Sequence, residues 1–434
     1  MKKFYPVFLL IFISLNSFSQ FKNIKLAEQD DKSLPPAEPS IAINKKNPKN
    51  IVVGVVPNRV IITNDGGQTW NTSEIKSSLG KSPIVVSNSK GNLYYFHLAD
   101  QNAKGKGNED VLDRIICQTS IDEGATWSEG TLIGNNSSPD QLRAWPAVHP
   151  RKNEVFVTWT QLDKNVNTDP SCQSNIMFSK SGNGNRFSKA VRVNETSGDC
   201  SNDDNTAMGA MATIGADGKI YVTWANQGNI YLDRSYDNGS TWLSNDLHIG
   251  KQEGGWNFSV PGLAKCNGLP ILTIDNSLSR FQGTMYLLWA DQKNGAEDTD
   301  IWLMKSRSRG DMWSKPLRIN KDEPGSHQFL PWITVDETSG SVYIVYYDRR
   351  NYDDQQTDVY LAYSFDGGNS FSETKISETP FTPDPSKPIG DHMSIDAHAG
   401  TIIPTWTRMD NGRTSVWASL IKESELPKAA PPKK

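Results

Sequence analysis

The five residues Tyr346-Tyr347-Asp348-Arg349-Arg350 close an apolar run with phenols, a carboxylate and two cations side by side. Arginine forks grip planar carboxylates through paired hydrogen bonds, and a carboxyl group in a half-buried site can hand a proton to a leaving group. Gly390-Asp391-His392 opens the next apolar run, and an aspartate beside a histidine can move a proton near neutral pH. Arg143 stands just before Trp145-Pro146, Arg408 just after Trp406, Asp291 after Trp289-Ala290, and Trp256 in the loop GGWNF. The candidate catalytic groups are therefore Asp348, Asp291, Asp391 and His392. The candidate binding groups are Arg143, Arg349, Arg408, Tyr347 and Trp256, the last able to stack on a flat or ring-shaped ligand.

Each candidate has a structural alternative. Asp348 with Arg349 can tie neighbouring elements together, and a histidine after an aspartate is often an ordinary hydrogen-bonded residue. No set of metal ligands has a recognisable spacing. Asp298, Asp300 and Asp358 lie in polar segments where calcium could sit, but aspartate is also the usual residue of solvated turns. There is no nucleotide-binding or Ser/His/Asp motif, and no cofactor is expected.

The elements that would position these groups are repeats. Ser/Thr-x-Asp-x-Gly-x-Thr/Ser followed by an aromatic occurs as TNDGGQTW (63–70), SIDEGATW (120–127), SYDNGSTW (235–242) and SFDGGNSF (364–371), with worn copies KSGNGNRF (180–187) and SRSRGDMW (306–313). The aspartate can accept backbone N–H bonds, glycine supplies a positive φ, and the aromatic pins the returning strand. Every group in the motif has a turn or packing task, so none belongs to the search for a site. Before each turn comes a strand, a polar turn and a second strand, as in PAVHPRKNEVFVTW (146–159). After it comes one more strand, as in KAVRVN (189–194). Four strands per unit at a period of roughly 55 to 70 residues is the pattern of propeller blades. No stretch after the N-terminal segment has a helical period.

Strand pairs begin near Pro39, Pro83, Pro146, Gly209, Pro270, Pro331 and Asp391, and the last unit lacks its fourth strand. FKNIKLAE (21–28) resembles the outer strands and would supply it, closing the ring between the two ends. The expectation is an all-β propeller of seven four-stranded blades, with six the alternative if the first unit or the second, at Pro83, is not a full blade. A single propeller domain would span 20–424, and a Pro-, Ala- and Lys-rich tail 425–434 would be disordered.

Lys2-Lys3, the apolar run Phe4–Leu15 and the small residues Ser17 and Ser19 read as a signal peptide cleaved near Ser19, giving a secreted, soluble chain. The formal net charge is -4, and the basic residues are scattered, which argues against nucleic acid; membrane insertion is not expected, and a monomer is. Four cysteines are too few to build the fold. Cys172 and Cys200 both lie in polar loops of an exported chain, and the sequence leaves their pairing open; Cys117, within Ile115-Ile116-Cys117, reads as a buried thiol.

Repeated Ser-x-Asp-x-Gly-x-Thr-Trp turns between strands resemble the Asp-box repeats of bacterial neuraminidases and the wider sialidase-like propellers, over nearly the whole chain after the leader. The resemblance implies a glycoside hydrolase acting on glycan termini, or a glycan- or protein-binding propeller, with its site on the face opposite the turns. In such sialidases three arginines hold the substrate carboxylate, a tyrosine paired with a glutamate is the nucleophile, and an aspartate is the acid/base. Here Arg143, Arg349 and Arg408 are the candidates for the clamp. No Arg-Ile-Pro triplet marks the first unit, and no tyrosine and glutamate match by motif, so neither of those roles is transferred.

Overall fold

The structure, a computed structural model, describes residues 21–30, 34–76, 81–99, 114–134, 140–164 and 166–427. The expected signal peptide, 1–19, lies outside them. Seven antiparallel sheets form a ring of blades, the first six running in chain order from inner to outer strand. The first blade is Ser40–Ile43, Ile51–Val55, Arg59–Thr63 and Asn71–Glu74. The second, Lys81–Ser87, Leu93–Ala99, Arg114–Ser120 and Thr131–Ile133, is a full blade, which removes the six-bladed alternative.

The seventh blade closes as the sequence suggests. Its strands Ser394–His398, Thr401–Asp410 and Arg413–Ser419 receive Asn23–Glu28 as the outer member, with Asn23 opposite Ser419 and Glu28 opposite Ser415. Its inner strand also meets that of the first blade, where the Asp396 carboxylate accepts the Ile43 backbone N–H at 2.7 Å. Neither end of the ring is left as an open edge. The last residues of the blade turn back and pack: Glu423–Glu425 form a short 3-10 turn, Leu426 is buried, and Tyr363 donates to the Pro427 carbonyl. Ordered chain thus continues beyond the boundary at 424 read from the sequence, and 428–434 lie outside the described residues.

Second strands are buried on both sides because each blade is sandwiched between two others. Every residue of Leu93–Ala99 and Val342–Asp348 is buried, which explains runs of Val, Ile and Tyr with no polar alternation. The repeated turns seal these sandwiches. In the turn of the fourth blade the Ser235 hydroxyl accepts the Gly239 N–H at 2.8 Å, and Asp237 accepts from the Thr241 N–H at 2.8 Å and hydroxyl at 2.7 Å. Gly239 has φ 78°, and a Cβ there would stand 2.2 Å from Phe178 of the third blade, so both backbone and space require glycine. The worn copy at 306–313 keeps the device with a hydroxyl: Ser308 replaces the aspartate and accepts the Met312 N–H at 2.8 Å.

Cys172 and Cys200 form a disulfide, and Cys117 and Cys266 are free and buried. No helix among the described residues is long and apolar enough to cross a membrane.

Candidate functional site

The inner strands of all seven blades start at the axis, on the end opposite the repeated turns. Aligned on their polar ends, they put Glu38, Ser82, Arg143, Gly209, Leu269, Leu330 and His392 in one column around that mouth. The backbone there is unusual: φ is 53° at Glu38, 50° at Ser82, 49° at Arg143, 79° at Gly209 and 48° at Leu330. Strand register slips at the same place in four blades, between Lys81 and Ile84, Leu142 and Trp145, Met208 and Met211, and Phe329 and Trp332. A bulge breaks the in–out alternation of a strand and re-aims a side chain. Four non-glycine residues in the left-handed region, at of order 1 kcal/mol each, mark a place where the ring's packing overrides local preference.

Three of these side chains meet a fourth. Arg143 reaches Asp391 at 2.5 Å, Asp391 also binds the His392 Nδ1 at 2.9 Å, and Glu38 stands with Asp391 and His392 such that their ligand-capable atoms lie within 4.8 Å of one another. Burial pushes the Glu38 carboxyl up, and the adjacent Asp391 charge adds to it, so its pKa rises to about 7. Burial acts on Asp391 in the same sense, but Arg143 and the His392 ring outweigh it and hold that carboxyl well below the usual range. The two neighbouring carboxyl groups are thus pushed in opposite directions, Glu38 up and Asp391 down, the electrostatic pattern that separates acid from stabiliser. Both Asp391 oxygens already have partners, Arg143 on one and His392 on the other, so the trio suits protons better than a metal.

Beside this group lies a cavity of about 220 Å³ whose charged lining is Glu38, Lys81, Arg143, Lys265 and Asp391, with Ser82 and Asn202 as polar neighbours. Deeper on the axis the floor is aromatic. Trp145 and Trp332 are 5.1 Å apart, and the His392 ring lies 5.3 Å from the first and 5.7 Å from the second.

Of the residues read from the sequence, Arg143, Asp391 and His392 come together here. Arg349 and Arg408 do not join them, so Arg143, Arg349 and Arg408 do not form the three-arginine clamp the resemblance implies. Arg349 is buried against Phe329, donates to Thr357 Oγ1 at 3.0 Å and the Pro261 carbonyl at 2.5 Å, and lines a separate open groove with His327 and Tyr352. Arg408 binds Asp410 and the Thr379 and Pro380 carbonyls. Asp348 pairs with Arg350 at 2.6 Å rather than with Arg349, and Arg350 continues to Glu373.

The remaining candidates have structural partners. The Tyr347 hydroxyl, in a side chain 1% exposed, donates to the Thr407 carbonyl and accepts the Thr407 N–H at 3.1 Å. Buried Asp291 accepts from the Gly254 and Glu253 N–H groups and from the Trp289 indole. Trp256 is 1% exposed among Leu142, Leu162 and the Cys172–Cys200 bridge, which corrects its assignment as a stacking platform. Asp300 and Asp358 are strand residues bound to Asn320 and Ser377, and Asp298 accepts the Gly325 N–H.

Sequence reasoning missed Glu38. Its one signal was position: it directly precedes Pro39, the start of an inner strand, in the same column as Arg143 and His392.

No family model matches the chain, and no curated protein matches it. Solved structures do share the fold. The Hadza microbial sialidase Hz136 superposes with a TM-score of 0.51 at 12% identity, covering 87% of this chain and 74% of that one. The K499G mutant of NanB sialidase from Streptococcus pneumoniae gives 0.51 at 9% identity, over 94% and 98%. A second NanB structure, holding 2-[(3-chlorobenzyl)ammonio]ethanesulfonate, gives 0.50 at 9%, over 95% and 99%. The chain is a seven-bladed, sialidase-like β-propeller in fold.

Proposed function

We propose that the protein is a glycoside hydrolase that acts on glycan termini at the axial mouth, with Glu38 as general acid. The observation that carries this reading is the pair of adjacent carboxyl groups, Glu38 and Asp391, the second gripped by Arg143 and His392, beside a cavity. Glu38 donates its proton to the departing glycosidic oxygen. Asp391, kept ionised and oriented by Arg143 and His392, stabilises the positive charge that grows on the sugar; water then bonds to the anomeric carbon and its released proton restores Glu38. The lining carries three cations, Lys81, Arg143 and Lys265, against two carboxyl groups, so the cavity favours a terminal sugar that carries an acid group.

The test is a panel of fluorogenic glycosides, an α-sialoside, a β-glucuronide and a neutral β-galactoside, given to the wild type and to Glu38→Gln. Release from an acidic glycoside that drops at least about 100-fold in the variant supports the proposal. Folded wild-type protein that releases nothing, or a variant as active as the wild type, refutes it.

A second reading is a propeller that binds glycans without cleaving them, favoured by the dispersal of Arg143, Arg349 and Arg408. It predicts calorimetric binding of an acidic sugar with no turnover. We also place the mature protein outside the cytoplasm. The N-terminal sequence supports export, and the Cys172–Cys200 bridge suits an oxidising compartment. N-terminal sequencing of protein released from the producing cell should begin near Gln20.

A further inference from the structure

Far from the axis, three carboxylates converge between the outer edges of the third and fourth blades. Glu195 follows the third blade's outer strand, Val191–Arg192; Asp233 lies in the fourth blade's third strand, Asn229–Ser235; Asp246 precedes its outer strand, Leu247–Lys251. Ligand-capable oxygens from all three lie within 4.8 Å of one another.

The hydrogen bonds of this cluster are incomplete in a telling way. Asp233 is 0% exposed; its Oδ1 accepts the backbone N–H groups of Arg234 and Leu243, while its buried Oδ2 has no partner. Asp246 repeats the pattern: Oδ2 accepts the Glu195 N–H at 3.1 Å, and its buried Oδ1 has none. The nearby arginines are engaged elsewhere. Arg192 donates to the Asn194 and Glu195 carbonyls, and Arg234 is paired with Asp311 at 2.7 Å. Among the described residues no ion pair involves Glu195, Asp233 or Asp246. A buried carboxylate oxygen without donor or cation is costly, and here two such oxygens face a third carboxylate.

We propose that Glu195, Asp233 and Asp246 bind one divalent cation, calcium by ligand type, which cross-links the third and fourth blades. All donors are hard oxygens. The geometry leaves one free oxygen on each aspartate and two on Glu195, so water would complete the six to eight ligands calcium takes. Glu195 is exposed and provides the entry path.

The experiment compares melting of the full chain in EDTA and over a range of calcium concentrations up to 5 mM, with calorimetric titration of calcium at pH 7.5. The expected result is one calcium per chain and a rise of roughly 3 °C in 1 mM calcium. Glu195→Gln, an exposed change that leaves the fold intact, should weaken binding at least tenfold, as should Asp246→Asn. Coincident melting curves across the range with no heat of binding up to 5 mM calcium would overturn the proposal, as would undiminished binding in both variants.

Discussion

At the axial mouth Arg143 holds Asp391 beside an open cavity; inside the sixth blade Arg350 holds Asp348, whose side chain is fully buried. The residue types are the same, and the distances nearly so. What differs is the surroundings. Asp348 also receives the Arg350 backbone N–H, and Arg350 continues to Glu373 on the outer strand, so that pair is consumed in joining strands of one blade. Burial raises the Asp348 carboxyl to about 6 against the pull of Arg350, a perturbation with no substrate access. Asp391 instead shares its neighbourhood with Glu38, contributed by another blade, and the cavity gives a ligand access to both. A perturbed carboxyl group therefore identifies a site only where the fold also leaves room.

The largest expected effect breaks the structural member of this comparison. Arg350→Ala strands Asp348 and Glu373 and should cost about 4 kcal/mol of stability, read as a lower urea midpoint, with turnover unchanged per folded molecule. Next comes Glu38→Gln, for which a 100-fold fall in kcat/KM corresponds to about 2.7 kcal/mol of lost transition-state stabilisation. Glutamine mimics the neutral acid, so its urea midpoint should match the wild type at pH 6 and equal or exceed it at pH 8.

A smaller effect follows from the sign of the Glu38 shift. Its protonated form persists up to about 7 and is lost above it, so kcat/KM should fall about tenfold per pH unit between 8 and 9 and be nearly flat between 5 and 6. A profile that instead rises through pH 8 would assign Glu38 the role of base. Smallest of all, Arg408→Ala removes a half-exposed pair with Asp410 and should change stability by no more than about 1 kcal/mol, leaving hydrolysis unaltered. Strong loss of activity there would restore Arg408 to the site and join the two regions.

The partnership of Asp348 with Arg350 follows from local turn chemistry that the sequence already contained. The strand ends at Asp348, whose carboxylate accepts the backbone N–H of Arg350 in the turn that follows and draws its guanidinium back, while Arg349 turns toward Phe329 and Pro261. Trp256 and Tyr347 were harder to read, because a large residue near a loop or strand end looks the same in sequence whether it covers the core or lines a pocket. Asp291 likewise sits at a strand end and spends its oxygens on backbone N–H groups of a neighbouring loop, contacts that local pattern does not encode.

Local chemistry settled the blades themselves. Turn residues at fixed offsets, apolar strands buried on both sides and a first segment matching a missing outer strand are short-range signals, and they were sufficient for four-stranded blades and their closure, while the structure decided seven blades over six. The site depends on contacts of another kind. Glu38 belongs to the first blade and Asp391 to the seventh, and they become neighbours because Asn23–Glu28 completes the last sheet and brings the two ends of the chain together. Arg143 reaches the same carboxylate from the third blade. Such a meeting of residues hundreds of positions apart is a property of the closed ring, and no local spacing in the sequence specifies it.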